Sequence, residues 1–345
     1  MKLAEFLTIE GRESLAKELT KEGLFELEKV NVRGNEYNTF KSAPKTLGEY
    51  FQFALIHGEW DFLAYEDETY TYQETLNKAA GLSHALIDQF GIKKGDAVAF
   101  SMRNYPEWIF SYMAVTSIGA IAVPLNSWWQ GEELEYGIQH SEAKLVIADD
   151  ERLSRMEGYV EDIPRIAVRC DAGSYTNAVN FVDVVQDNEA FPAVEVDPED
   201  DASIMYTSGS TGYPKGVVAT HRSIINTPVA WAFLAQLAGQ IETDDDSPTF
   251  PQPESPCTLA AVPLFHVTGS HSNFLLSLLS ATRIVLMYKW DPLKAIQLIE
   301  EYKVTSFSGV PTMNQEILIT SENNPDIDVS SIAMLSGGGA ARPPE

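Results

Sequence analysis

Between two short apolar runs the chain carries YTSGSTGYPKG, from Tyr206 to Gly216, and no other stretch constrains the possible folds as tightly. Ala202 to Thr207 is apolar and partly β-branched and reads as a buried strand, while Val217, Val218 and Ala219 read as a second. The segment between them therefore joins strand to strand. Gly209, Gly212 and Gly216 can take positive φ and let backbone N–H groups approach an anion, and Thr207, Ser208, Ser210 and Thr211 add hydroxyls. Lys215 supplies a point charge. A Walker-type loop would read G-x-x-x-x-G-K-[ST] and open a helix; here Lys215 precedes Gly216, Pro214 precedes the lysine, and β-formers follow. The spacing thus suits polyphosphate but not the kinase or P-loop NTPase scaffold. A merely solvated Ser/Gly turn is the bland alternative, and the ordered run of glycines, hydroxyls and lysine argues against it.

Around this loop, helical and strand patterns alternate. Thr71 with Glu74 forms a capping box, and Leu76, Ala79, Ala80, Ser83, Leu86, Ile87 and Phe90 follow helical spacing until Gly91. Lys93 to Asp96 turn into a strand, Ala97 to Met102, and Pro106 opens the next helix. Strand Ala120 to Pro124, helix Glu132 to Gln139 and strand Lys144 to Ala148 follow, then a looser acidic region from about Gly173 to Asp201. After the loop come helix Ser223 to Leu237, a polar Pro-rich loop over 240–256 expected to be a flexible surface flap, and strand Thr258 to Val262. Helix Ser272 to Leu279, strand Arg283 to Tyr288, a helix opened by Asp291 and Pro292, strand Val304 to Ser308, helix Thr312 to Thr320 and strand Ile332 to Leu335 complete the rhythm. Such alternation predicts an α/β fold with mainly parallel sheets flanked by helices.

Charge and cysteine usage narrow the function classes. At 345 residues the chain has room for about two folding units. A formal net charge of −26 argues against nucleic acid and against an anionic membrane surface. A nucleotide must then be met by local cations, Lys215 and a bound Mg²⁺. Cys170 and Cys257 are too few for a disulfide framework or a tetrahedral zinc site. The charged N-terminal stretch lacks a signal peptide's apolar core, and the most apolar run, Asn273 to Tyr288, is interrupted by Arg283. A cytoplasmic enzyme without an integral membrane segment is the expectation.

YTSGSTGYPKGVVATH resembles the phosphate-loop signature of the adenylate-forming superfamily, which includes acyl- and aryl-CoA synthetases, luciferases and peptide-synthetase adenylation domains. TYTYQETL (Thr69 to Leu76), AVTSIGAIAVPLNSWW (Ala114 to Trp129), PLFHVTG (Pro263 to Gly269), GVPTM (Gly309 to Met313) and LSGGGA (Leu335 to Ala340) agree in order, from about Lys45 onward. PLFHVTG and NSWWQGEELEYGIQHSEAKLVIAD are most similar to fatty-acyl and related CoA ligases. The resemblance implies the large N-terminal domain of that fold, with two similar α/β subdomains near 66–224, holding the loop 206–216, and 225–345, on the acyl and adenine side. Members continue into further motifs and a small C-terminal domain with a catalytic lysine. The chain ends at Glu345, so a truncated domain without those elements is expected, weak in ATP and acyl binding and poorly active.

The implied reaction is attack of a carboxylate, here expected to be a fatty acid, on the α-phosphate of ATP with loss of pyrophosphate, then transfer of the acyl group to coenzyme A. Such a step needs charge stabilisation more than proton transfer. Thr207, Ser208, Gly209, Ser210, Thr211, Gly212 and Lys215 are assigned to the nucleotide, Thr211 also to Mg²⁺, and Lys215 and His266 to catalysis. His266 is placed beside the reacting carboxylate, Gly309 on the acyl wall, and Gly337, Gly338, Gly339 and Ala340 under the adenine. In that last segment Ala340, Ala341 and Arg342 precede Pro343, where the family usually has its proline sooner. His221 and His271 read as packing or surface residues, and Trp128 and Trp129 as packing residues outside the site. The partners are small molecules, with a homodimer as the candidate assembly. Alternatives are an acyl-AMP ligase or amino-acid adenylation domain serving a carrier protein, or a catalytically silent nucleotide- or acyl-binding module. PLFHVTG offers no aspartate for a substrate amine.

Overall fold

The computed structural model describes residues 8–207, 212–240 and 253–338. With strands numbered in chain order, a hairpin of β1 (Leu27–Val32) and β2 (Asn35–Phe40) precedes two larger sheets. The first runs, edge to edge, β11 (Lys215–Thr220), β10 (Asp201–Thr207), β6 (Ile121–Pro124), β5 (Ala97–Ser101), β7 (Ala143–Asp149), β8 (Arg165–Val168) and β9 (Ala178–Asn180). Only β11 is antiparallel to its neighbour. The second runs β15 (Met334–Gly337), β14 (Ser306–Gly309), β12 (Cys257–Ala260), β13 (Arg283–Leu286), β3 (Asp61–Tyr65) and β4 (Glu68–Thr71), parallel throughout except for the β3–β4 hairpin. That hairpin reaches the second sheet from well before residue 225, and the division drawn at residue 66 falls inside it.

Central strands such as β5 and β12 are buried at every position, as parallel strands covered on both faces must be. Alternate residues then sort into different cores. Val98 and Phe100 of β5 and Ile284 and Leu286 of β13 point into one shared core between the sheets, whereas Ala97 and Ala99 face an outer layer and Val285 faces another. Helices Tyr72–Asp88 and Pro106–Ser117 fill the shared layer. The first begins with the expected capping box: Thr71 Oγ1 accepts from Glu74 N at 3.1 Å and Glu74 Oε2 from Thr71 N at 2.8 Å. Pro106 opens the second, in which every residue except Glu107 is buried.

Across this junction Arg169, after β8, pairs with Glu68 of β4 at 2.7 Å and Glu107 at 3.0 Å and lies over the Tyr65 and Tyr105 rings. The strand-helix alternation read from sequence is present, with two adjustments. The helix expected from Ser272 is a wide π-helical turn, Thr268–Leu275, passing into an α-helical turn, Leu276–Leu279. The loose acidic region contains β9 and a short helix, Phe181–Val184. Among the described residues no helix is long and apolar enough to cross a membrane.

Candidate active site

The loop singled out in the sequence leaves the carboxyl end of β10 and returns along β11, with Thr207 opposite Lys215 and Tyr206 opposite Gly216. Gly212 has φ of 117°, where a side chain would strain the backbone. Gly216 is required by closeness instead, since a Cβ there would lie 2.7 Å from Ile204 Cγ2. Lys215 is exposed and forms no ion pair among the described residues. Ser208, Gly209, Ser210 and Thr211 lie outside the described residues, as do Gly339, Ala340 and most of the 240–256 loop.

On the second sheet, PLFHVTG forms the turn after β12. His266 is exposed, and its Nδ1 accepts from Thr268 N at 3.3 Å, so the neutral ring carries its proton on Nε2. The His266 carbonyl accepts from Ser270 N at 3.0 Å. Gly269, the second residue of the wide helix, lies against the Pro263 backbone, where an added Cβ would sit 2.3 Å from the Pro263 oxygen. Gly309 ends β14 beside Gly337 of β15, and Gly338 N donates to Gly309 O at 3.0 Å. Thus His266, Gly309, Gly337 and Gly338 gather at the carboxyl edge of one sheet, while Thr207, Gly212 and Lys215 belong to the carboxyl edge of the other.

Segments following strands of both sheets meet around a cleft of about 320 Å³. Its walls include Arg103 after β5, Trp128 after β6, Val262 and Pro263 after β12, Tyr288 after β13 and Val310 after β14. Ligands of open parallel sheets bind in this position, outside the carboxyl ends of the strands. Here the tryptophan pair divides. Trp129 is buried against Tyr206, as a packing residue should be, but Trp128 is 54% exposed, lines the cleft and meets Phe265 edge-on with centroids 5.4 Å apart. Its assignment to packing is therefore corrected; the signal was available only once β6 was seen to end at the cleft.

The two halves are locked by a residue that the sequence reading passed over. Asn104 is buried, donates through Nδ2 to Ala260 O and Val262 O, both at 3.1 Å, and accepts at Oδ1 from Leu264 N at 2.9 Å. It thereby holds the turn bearing His266 against the first sheet. Next to it, Arg103 N donates to Asp149 Oδ2 at 3.2 Å. The Asp149 carboxylate also pairs with the fully buried Arg152, whose Nε donates to Ser127 O at 2.8 Å. One buried ion pair thus supports both the Arg103 and the Trp128 walls.

His221 and His271 are packing residues. His221 Nδ1 accepts from Leu47 N at 3.1 Å, and His271 Nδ1 is 2.9 Å from Ser270 Oγ. Burial pushes both imidazoles down to about 4.

Residues 51–345 match the family described as AMP-binding enzyme. The chain belongs to that family. Similar relatives include 4-coumarate-CoA ligase 3 of Arabidopsis thaliana, 30% identical over 279 residues covering 79% of this chain and 46% of the relative. Another is 4-coumarate-CoA ligase CCL1 of Humulus lupulus, 30% identical over 293 residues covering 83% and 49%. The chain spans about half the length of the curated relatives it matches. Its fold is shared with the anthranilate CoA ligase AuaEII solved with anthranoyl-AMP, at TM-score 0.71 and 23% identity over 84% of this chain and 54% of that one. The N-terminal domain of FACL13 from Mycobacterium tuberculosis gives TM-score 0.70 and 24% identity over 87% and 71%. The expected adenylate-forming N-terminal fold is therefore the observed one.

Proposed function

We propose that this chain provides the ATP- and acid-binding part of an AMP-forming acid-thiol ligase. The observation that carries the reading is the Thr207–Lys215 loop, which leaves the carboxyl end of β10 on the same sheet whose β5 and β6 lead into the cleft walls at Arg103 and Trp128. It presents a positive-φ glycine and an exposed lysine. A carboxylate oxygen attacks the α-phosphorus of ATP and pyrophosphate leaves; the thiolate of coenzyme A then attacks the acyl carbon and AMP leaves. In the first step Lys215 and the loop amides meet negative charge that grows on the leaving pyrophosphate. His266, through its Nε2 proton, orients a carboxylate oxygen by hydrogen bonding. Gly309 and Trp128 border the apolar body of the acid, and Gly337 and Gly338 border the adenine.

Mg²⁺ enters this scheme as the counter-ion of ATP. Among the described residues no cluster of histidine, cysteine and acidic side chains could hold a metal ion, and a hydroxyl oxygen of the loop, with that of Thr211 as the candidate ligand, suits a cation carried mainly by phosphate oxygens. For the acid, we place aryl carboxylates beside fatty ones. The relatives are named as 4-coumarate-CoA ligases, and Trp128, Tyr288 and Trp290 give the cleft aromatic walls. A cytoplasmic location belongs to the same proposal.

The test is ATP-pyrophosphate exchange by the purified chain with short, medium and long fatty acids, 4-coumarate and anthranilate. Acid-dependent exchange that disappears in Lys215→Ala supports the reading and identifies the acid class. Absence of both exchange and MgATP binding would falsify it.

A further inference from the structure

Helix Gly131–His140 packs beside the loop without belonging to either of its strands. Tyr136 on this helix donates through Oη to Pro214 O at 3.0 Å and stacks on Tyr213, with centroids 5.0 Å apart and planes 30° apart. Its other ring neighbour is His140, one helical turn on, stacked at 5.1 Å and 25°. His140 reaches the opposite arm of the loop, with Nδ1 2.9 Å from Tyr206 Oη. Because Tyr206 Oη donates to Gly137 O at 3.1 Å, it accepts from His140, which places the imidazole proton on Nδ1. Tyr206 is also seated edge-on against the buried Trp129. Both arms of the loop are therefore fastened to one helix face, at Tyr206 on the way out and at Tyr213 and Pro214 on the way back.

We propose that Tyr136, braced by His140, is a positioning residue that sets the height and direction of the Pro214–Lys215 arm for the nucleotide phosphates. This role rests on the reading of this loop as the ATP site. Strand pairing alone aligns Lys215 with Thr207 but says nothing about how the arm leans relative to the sheet. Tyr213 is 74% exposed, so its stack on Tyr136 buries little and contributes little to folding. The contact is placed where it acts on loop geometry instead. An orienting hydrogen bond removed from the back of a phosphate site weakens phosphate binding without touching the phosphate.

Four proteins decide the matter: the chain itself, Tyr136→Phe, Tyr136→Ala and Lys215→Ala, each titrated with MgATP by competition against a fluorescent ATP analogue and melted in parallel. Tyr136→Ala is expected to weaken MgATP about tenfold and Tyr136→Phe, which keeps the stack and loses the hydrogen bond, about threefold. Melting midpoints should stay within about 2 °C of the parent, and the KM for the acid in pyrophosphate exchange should not move. A structural role alone would lower the midpoint and shift both substrates together. Parent-like MgATP affinity in a folded Tyr136→Ala overturns the proposal while Lys215→Ala still reports the site. If Tyr136→Ala does not fold, parent-like affinity in Tyr136→Phe overturns it. Parent-like affinity in Lys215→Ala removes the loop reading, and the proposal with it.

Discussion

The turn bearing His266 and the loop bearing Lys215 sit on matching edges of two sheets yet are held in different ways. The His266 turn is fixed from inside: Asn104 holds two carbonyls and one N–H at its start, Gly269 is pressed on Pro263, and a buried ion pair stands behind the neighbouring wall. The Lys215 arm is fixed from outside, by edge-strand pairing and an exposed aromatic stack. Substitutions behind the first should therefore cost stability, and substitutions within the second should cost ligand binding at little expense in stability.

The largest effect expected is at Asp149. Asp149→Ala leaves Arg152, with no exposed side-chain surface, beside no carboxylate but that of the half-exposed Glu151, and should cost about 3–5 kcal/mol in urea unfolding. A loss below about 1 kcal/mol would mean that water reaches Arg152 and that the wall is not held from inside.

Acid comes next, because two buried imidazoles are held neutral: His271 in the wide helix after PLFHVTG, and His221 beyond the end of β11 that lies away from Lys215. Their folded values of about 4 lie below the ordinary 6.5, so the unfolded chain binds protons first as pH falls. Their stabilisation is complete above about pH 6.5 and is lost progressively down to about pH 4, on the order of 3 kcal/mol for each group. Comparing unfolding free energies of the parent and of His221→Gln and His271→Gln across that window isolates each share from the many carboxylates. Parallel curves would show that neither histidine is held neutral.

Asn104→Ala should cost about 2–3 kcal/mol, since two carbonyls and one N–H lose a buried partner. Its consequence for the site should be a raised KM for the acid with that for ATP little changed, measured in pyrophosphate exchange. Equal changes in both would indicate general loosening of the junction between the sheets. Lys215→Ala has the smallest expected effect on folding, within about 0.5 kcal/mol, because the residue is exposed. It should nonetheless weaken MgATP at least about tenfold. A destabilisation comparable to that of Asn104→Ala would erase the contrast between the two regions.

Much of this was written in local sequence. The capping box at Thr71 and Glu74, Pro106 at a helix start and the β-formers flanking YTSGSTGYPKG are short-range signals, because the atoms that satisfy one another lie within a few residues. Local signals could not separate Trp128 from Trp129: both lie in the turn after β6, closed by Trp129 N donating to Asn126 O at 3.0 Å, and which of them meets the core depends on where that turn sits against the rest of the fold. Asn104 was illegible for a similar reason, since its partners at Ala260, Val262 and Leu264 are more than 150 residues away. Of the hairpin of β3 and β4, only the helix cap that follows it was a local signal; that it completes the second sheet is a matter of long-range pairing with β13.

The sequence by itself thus determined the family and the order of strands and helices, and singled out the loop proposed for phosphate, because each rests on residue types at fixed short spacings. Tertiary structure alone decided which tryptophan meets the cleft, which buried groups brace its walls, and which helix face holds the loop. Those outcomes depend on burial and on contacts between segments brought together only when the two sheets close on their shared core.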